Sequence, residues 1–195
     1  GLLASVDKKT GRLQWAYRYA QLPLNPTRSV QVIRNALEWV NAPPIVTQGM
    51  VIFSPTDSRY LYALNAATGR RRWKMQRPDE VRHLYGVCDD LLVLGGESLL
   101  ALNLVAEGMP VADFTPKSRG IGRGVMARDR VYMPTEAGLQ TVSLPDLKEI
   151  SFARWSTGKA EGGNLVVVDG MVLVAGAHTL EAFMDRRSFE KSIRE

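Results

Sequence analysis

Short apolar runs recur along the chain, each cut off by a polar turn, and their spacing is the most informative feature of the sequence. Met50-Val51-Ile52-Phe53, Leu91-Leu92-Val93-Leu94, Val131-Tyr132-Met133 and Met171-Val172-Leu173-Val174 each follow a turn. Val51, Leu92, Val131 and Val172 fall 41, 39 and 41 positions apart. A second run follows each of them: Leu61-Tyr62-Ala63-Leu64, Leu99-Leu100-Ala101-Leu102, Leu139-Gln140-Thr141-Val142 and Leu180-Glu181-Ala182-Phe183. Runs this short, bounded by turn residues, predict strands rather than helices. A period near 40 with several strands in each unit is the spacing of β-propeller blades and excludes the helical repeat arrays.

A further apolar segment precedes the first run of each pair: Pro44-Ile45-Val46-Thr47, Leu84-Tyr85-Gly86-Val87, Gly124-Val125-Met126-Ala127 and Asn164-Leu165-Val166-Val167-Val168. The joining turns are Gln48-Gly49, Asp89-Asp90, Arg128-Asp129-Arg130 and Asp169-Gly170. Such residues supply the positive backbone angles of tight hairpins. Each unit therefore reads as one four-stranded antiparallel blade. The predicted units cover 1–20, 42–77, 82–115, 122–156 and 162–185 within a propeller region 1–185. The fold class is all-β, with four to five blades forming a partial ring.

Two units carry a sharper motif. Asp7, Thr10, Gly11 and Trp15 repeat at the same spacing as Asn65, Thr68, Gly69 and Trp73, with the two tryptophans 58 positions apart. An Asp or Asn side chain can accept hydrogen bonds from the backbone of such a turn. Gly adopts positive φ there, and the following strand carries Trp to where it can bury against the next blade. These eight residues are the predicted blade-docking positions. Small-x-Asp/Asn-x-x-Thr-Gly-x-x-x-Trp resembles the tryptophan-docking repeat of the quinoprotein-like (PQQ-like) propeller family, and 42–73 is similar to a nearly complete copy. The later units depart from it: one has Asn103-Leu104-Val105-Ala106-Glu107-Gly108, another Ser143-Leu144-Pro145-Asp146-Leu147 ending at Trp155, and the last has no docking turn.

The resemblance implies two alternatives for function. Members without a cofactor site include an outer-membrane protein-assembly lipoprotein that binds partners through its faces and edge loops, which implies a non-catalytic interaction scaffold in the cell envelope, periplasmic or otherwise outside the cytoplasm. The other members are oxidoreductases that hold pyrroloquinoline quinone (PQQ) with calcium, and this chain would then be a fragment whose cofactor residues lie on other blades. No cofactor or metal residue carries over position by position. The adjacent cysteine pair found in many of those enzymes is impossible, because Cys88 is the only cysteine. The preferred expectation is no catalytic, cofactor or metal residue.

The chain opens inside a blade, since Leu2-Leu3-Ala4-Ser5-Val6-Asp7 matches a third strand. Family propellers close with more blades, so the immediate partner expected is the remaining blades, on another chain or segment, and the chain is expected to be the C-terminal part of a larger propeller. One stretch breaks the period. Apolar residues in 27–40 fall at Val30, Ile33, Leu37 and Val40, spaced as on one face of a helix. This predicts a helical insertion, and Val30, Ile33, Leu37 and Trp39 are its candidate partner-docking residues. The tail 186–195 places Phe189 and Ile193 at i, i+4 and reads as a helix start or linker.

Composition adds limits. The 45% hydrophobic and 23% charged residues are those of a globular chain. No apolar stretch is long enough for a membrane-spanning helix. The net charge of +5 comes from arginines scattered over turns, with no recognition helix or zinc pattern, which argues against nucleic acid. Cys88, next to apolar Val87, reads as a buried strand thiol. His83 and His178 stand far apart and read as structural, and Gly120-Ile121-Gly122-Arg123-Gly124 reads as an interblade loop because it opens no helix.

Overall fold

The computed structural model describes residues 1–22, 43–155, 163–168, 171–176 and 178–184. These form 17 strands in five antiparallel sheets, and no helix occurs among them. The first sheet pairs β1 (Leu2–Val6) with β2 (Leu13–Arg18). The second runs β3 (Ile45–Thr47), β4 (Met50–Phe53), β5 (Tyr60–Asn65), β6 (Arg71–Gln76). The third runs β7 (Val81–Cys88), β8 (Leu91–Gly96), β9 (Leu99–Asn103), β10 (Met109–Phe114). The fourth runs β11 (Val125–Ala127), β12 (Arg130–Pro134), β13 (Gly138–Ser143), β14 (Glu149–Arg154). The fifth runs β15 (Asn164–Val168), β16 (Met171–Ala175), β17 (Leu180–Met184). Within each sheet, sequence order is spatial order, so every connection is a hairpin or a short turn. The architecture is a partial β-propeller.

The burial gradient across a blade follows from this order. The second and third strands of the middle three sheets are mostly apolar and buried on both faces, as in Met50–Phe53 and Leu99–Asn103, although β13 also buries Gln140 and Thr141. The outer strands Arg71–Gln76, Met109–Phe114 and Glu149–Arg154 are largely exposed. The first strands β3, β7, β11 and β15 touch one another in sequence and so line the inner side of the ring.

Each hydrophobic cluster lies between two blades, not within one. Ile52, Leu61 and Trp73 of the second sheet pack with Leu84, Leu92 and Leu102 of the third. Val93, Leu99 and Ala101 of the third pack with Val131, Met133 and Val142 of the fourth. Leu139 and Trp155 meet Leu165, Val172 and Val174 of the fifth. Between the first two sheets the filling is aromatic. Phe53 stacks on Tyr62 with centroids 5.1 Å apart, and Tyr17 and Tyr19 pack on both rings. Burial of both faces explains why the inner strands read as continuous apolar runs instead of alternating ones.

The hairpin turn between β3 and β4 has Gln48 and Gly49 at φ 47° and 69°, the mirror-image geometry that matches strand twist. Cys88 departs from its sequence reading. It is half-buried, because it is the last residue of β7 before the turn, and its Sγ lies 4.0 Å from the Asp89 carboxylate at the exposed rim. The candidate insertion 27–40, with Val30, Ile33, Leu37 and Trp39, and the tail 186–195 lie outside the described residues.

Candidate functional site

Two constellations stand out: the turns that join blade to blade, and a pocket on the inner rim.

In the first docking turn the Asp7 Oδ1 accepts hydrogen bonds from the Lys9 and Thr10 amides at 3.0 and 2.7 Å and from the Thr10 hydroxyl at 2.8 Å. These donors hold the Asp7 carboxyl below the usual carboxylate range, the Thr10 bonds contributing most. In the second turn the Asn65 Oδ1 accepts the same three bonds from Ala67, Thr68 and the Thr68 hydroxyl at 3.0, 3.0 and 3.1 Å. A neutral amide oxygen thus does the work of the carboxylate. Gly11 and Gly69 both sit at φ 68°. The Trp15 ring from the first blade lies against Gly69 of the second, and its Nε1 donates to the Ala66 carbonyl at 2.9 Å.

The next joint is altered. Trp73 lies against Gly108 of the third blade. From Asn103 to Gly108 that turn is one residue longer than from Asn65 to Gly69. Asn103 Oδ1 accepts one bond, from the Ala106 amide at 2.9 Å, and the buried Trp73 Nε1 has no hydrogen-bond partner. Trp155 again finds a carbonyl, that of Thr135 in its own blade at 2.7 Å, while its ring meets Phe183 of the fifth sheet edge-on.

The inner-rim pocket was missed by sequence reasoning. It is a cavity of about 380 Å³ that draws on three consecutive blades: His83 and Tyr85 from β7, Arg123, Gly124 and Val125 at the start of the fourth blade, and Asn164 and Leu165 from β15. Two β-bulges shape β7. The register against β8 skips between Val81 and His83 and again between Leu84 and Gly86, so Arg82 and Tyr85 are the extra residues. Bulges of this kind re-aim side chains. The Tyr85 ring then slots between Gly95 of its own blade and Gly124 of the next, where a Cβ at either position would overlap it.

The pocket is polar, and its polar atoms are incompletely satisfied. The Tyr85 hydroxyl and the His83 Nδ1 are buried with no hydrogen-bond partner. Burial pushes the Tyr85 hydroxyl up to about 12, only partly offset by the nearby Gly124 amide. Burial, followed by the charges of Arg123, Arg82 and Arg77, pushes His83 down to about 4, so its imidazole is neutral at pH 7. Arg123 is fixed by its backbone, which bonds to Gly163 and Leu165, and its Nη2 donates to the Leu84 carbonyl at 3.3 Å. Arg82 is tied to Glu97, which also pairs with Arg119 at 3.0 Å.

These donors do not fit a calcium-bound quinone. Calcium takes several oxygen ligands, carboxylates among them, and no carboxylate lines this pocket. Among the described residues no cluster of three His, Cys, Asp or Glu is placed to hold a metal ion.

Comparison with known proteins agrees with the blade architecture. A search of curated protein sequences returns no significant match. Among solved structures, BamB from Moraxella catarrhalis superposes with a TM-score of 0.67 at 15% identity, covering 94% of this chain and 52% of that one. The computationally designed Ika4 protein matches with a TM-score of 0.59 at 11% identity, over 74% of this chain and 92% of that one. The designed Ika8 protein gives 0.59 at 13% identity, over 73% and 45%. The chain thus spans about half the length of the Moraxella protein. The family model described as outer membrane protein assembly factor BamB matches residues 1–183, nearly the whole sequence, and the chain belongs to that family of PQQ-like β-propellers.

Proposed function

We propose that this chain is a non-catalytic propeller module that acts as a protein-interaction scaffold in outer-membrane protein assembly, on the periplasmic side of a bacterial envelope. Membership of the BamB family over residues 1–183 carries the reading. In this reading its nearest partner is a further set of blades. On β1 the outward residues Leu2 and Val6 are 66% and 58% exposed, while Leu3 packs inward on the second blade. An apolar face of this kind is what a preceding blade would cover.

The test is crosslinking in intact cells of the producing bacterium, with the tagged chain isolated from the envelope fraction. Co-isolation with outer-membrane assembly components, in a species larger than the 21.6 kDa chain, is the expected result. A chain recovered alone from the cytosol would refute the scaffold role. A preparation with a quinone absorption band and stoichiometric calcium would replace it with the oxidoreductase reading.

A further inference from the structure

The inner-rim pocket points to a ligand that the scaffold role does not require. Its wall offers an excess of donors and positive charge. Arg123 uses one guanidinium nitrogen on the Leu84 carbonyl, and no carboxylate among the described residues pairs with it. The Tyr85 side chain lines the cavity, and its hydroxyl is buried beside the Gly124 amide with no well-formed hydrogen bond. The His83 Nδ1 is likewise unpartnered, and the Arg77 Nε nearby is buried without one. Buried polar atoms are normally satisfied, and exceptions call for an explanation such as a missing ligand. Val125 and Leu165 give the lining an apolar part.

The size suits a small ligand or a single inserted side chain, since cavities from about 300 Å³ upward hold such groups. The ligand must accept several hydrogen bonds at once, carry negative charge, and present carbon to the apolar part of the lining. A carboxylate on a short carbon chain meets all three conditions. It has lone pairs for the guanidinium, the phenol and an imidazole N–H together. Arg123 in the lining, with no lining carboxylate to offset it, disfavours a cation.

We propose that this pocket is a carboxylate-binding site, with Arg123 and Tyr85 as the residues that hold the ligand and His83 as a third partner. Either a free short-chain organic acid or an acidic side chain on an extended protein segment presents the same chemistry. The proposal stands apart from the scaffold reading and can fail or hold without it.

The experiment is a titration of the isotope-labelled full chain followed by amide and imidazole chemical shifts. The probes are succinate, a short glutamate-containing peptide with blocked termini, and inorganic sulfate. Succinate or the peptide is expected to move the Gly124, Asn164 and Leu165 amides and the His83 ring, saturably. Tighter binding by the peptide assigns the site to a protein side chain, and by succinate to a free acid. Tyr85→Phe removes a hydroxyl that makes no well-formed hydrogen bond within the chain, so it should leave the fold intact and weaken binding about tenfold, the loss of one hydrogen bond to a charged group. Arg123→Gln should weaken it at least as much. The proposal is overturned if neither carboxylate moves these signals, if sulfate moves them equally well, or if both variants bind as the parent does.

Discussion

Gly11 and Gly69 provide an internal control for what blade docking is worth. Both sit at φ 68° in turns with the same hydrogen bonds. They differ in what faces them: a Cβ on Gly11 would meet nothing within 4 Å, whereas one on Gly69 would lie 2.6 Å from the Trp15 Cδ2 and Cε3. Gly11→Ala therefore costs only the left-handed backbone strain of an L-residue, about 1 kcal/mol. Gly69→Ala carries the same strain and also displaces the indole. Loss of the Trp15 Nε1 bond to Ala66 is worth about 1 kcal/mol, and overpacking against a rigid ring costs another ~1 kcal/mol or more. The expected total is about 3 kcal/mol, some 2 kcal/mol beyond Gly11→Ala. Trp15→Ala removes the obstructing ring, so in that background Gly69→Ala should cost no more than Gly11→Ala. The assay is urea unfolding followed by far-UV circular dichroism, which does not depend on the tryptophan being replaced. Equal costs for the two glycines, or a coupling with Trp15 below about 0.5 kcal/mol, would refute the idea that the docking contact carries the difference.

Trp155→Phe and Trp73→Phe both shrink a buried ring, but only Trp155→Phe also loses a hydrogen bond, that to the Thr135 carbonyl, which keeps only the Gly138 amide at 3.3 Å; it should therefore cost about 1 kcal/mol more than Trp73→Phe in the same melts. His83 has its folded pKa pushed down to about 4 from 6.5. Its contribution to stability is complete above pH 6.5 and is lost as pH falls toward 4, where only the unfolded chain readily takes the proton. Urea midpoints should therefore drop between pH 7 and 4.5, and His83→Gln should flatten that slope. Asp7 is also depressed, so its turn bonds are intact above the ordinary carboxylate pKa and weaken in stronger acid. A carboxyl-carbon titration by NMR should place its midpoint below 3.8, while the turn at Asn65 shows no such dependence.

The blades were legible because their cause is local and repeated. An interior strand buried on both faces is mostly apolar, and a hairpin needs Gly or Asp at fixed places, so the order of strands can be read from composition at a period of about 40. The docking turn was legible for the same reason, since Asp7 to Gly11 makes its bonds within five residues. The pocket was not. His83, Arg123 and Asn164 are about 40 positions apart and meet only because the first strands of three blades converge. The bulge that frees Tyr85 depends on pairing with β8, which an apolar pattern does not specify. A usable signal did exist in Gly95 and Gly124, glycines in or beside strands with no turn to explain them, which mark close approach of another group. The Cys88 reading failed because apolar neighbours do not tell whether a residue is mid-strand or at the rim.

Because every hydrophobic cluster lies between two blades, the energetics should be nearly one-dimensional, each blade stabilised by its neighbours. The joint between the second and third blades is the richest, with twelve buried residues from Met50 to Leu104 in one cluster. Among the described residues, the joint to the fifth sheet has five, and that between the first and second has three, completed by half-buried aromatics. Local opening free energy should follow this order, since regions with few buried contacts open first. Native-state hydrogen exchange should then find the β4, β5, β8 and β9 amides slowest, and those of β1, β2 and β15 to β17 exchanging through smaller openings. Trp73→Ala, which removes a side chain from the richest joint, should lower protection in the central sheets and leave β16 and β17 as they were. Uniform protection across all five sheets would mean that the blades unfold as one unit, and pairwise blade contacts would then not be what sets stability. If the gradient is found, the weak first sheet is where a further set of blades would gain most by binding, and protection of β1 and β2 would rise on its addition.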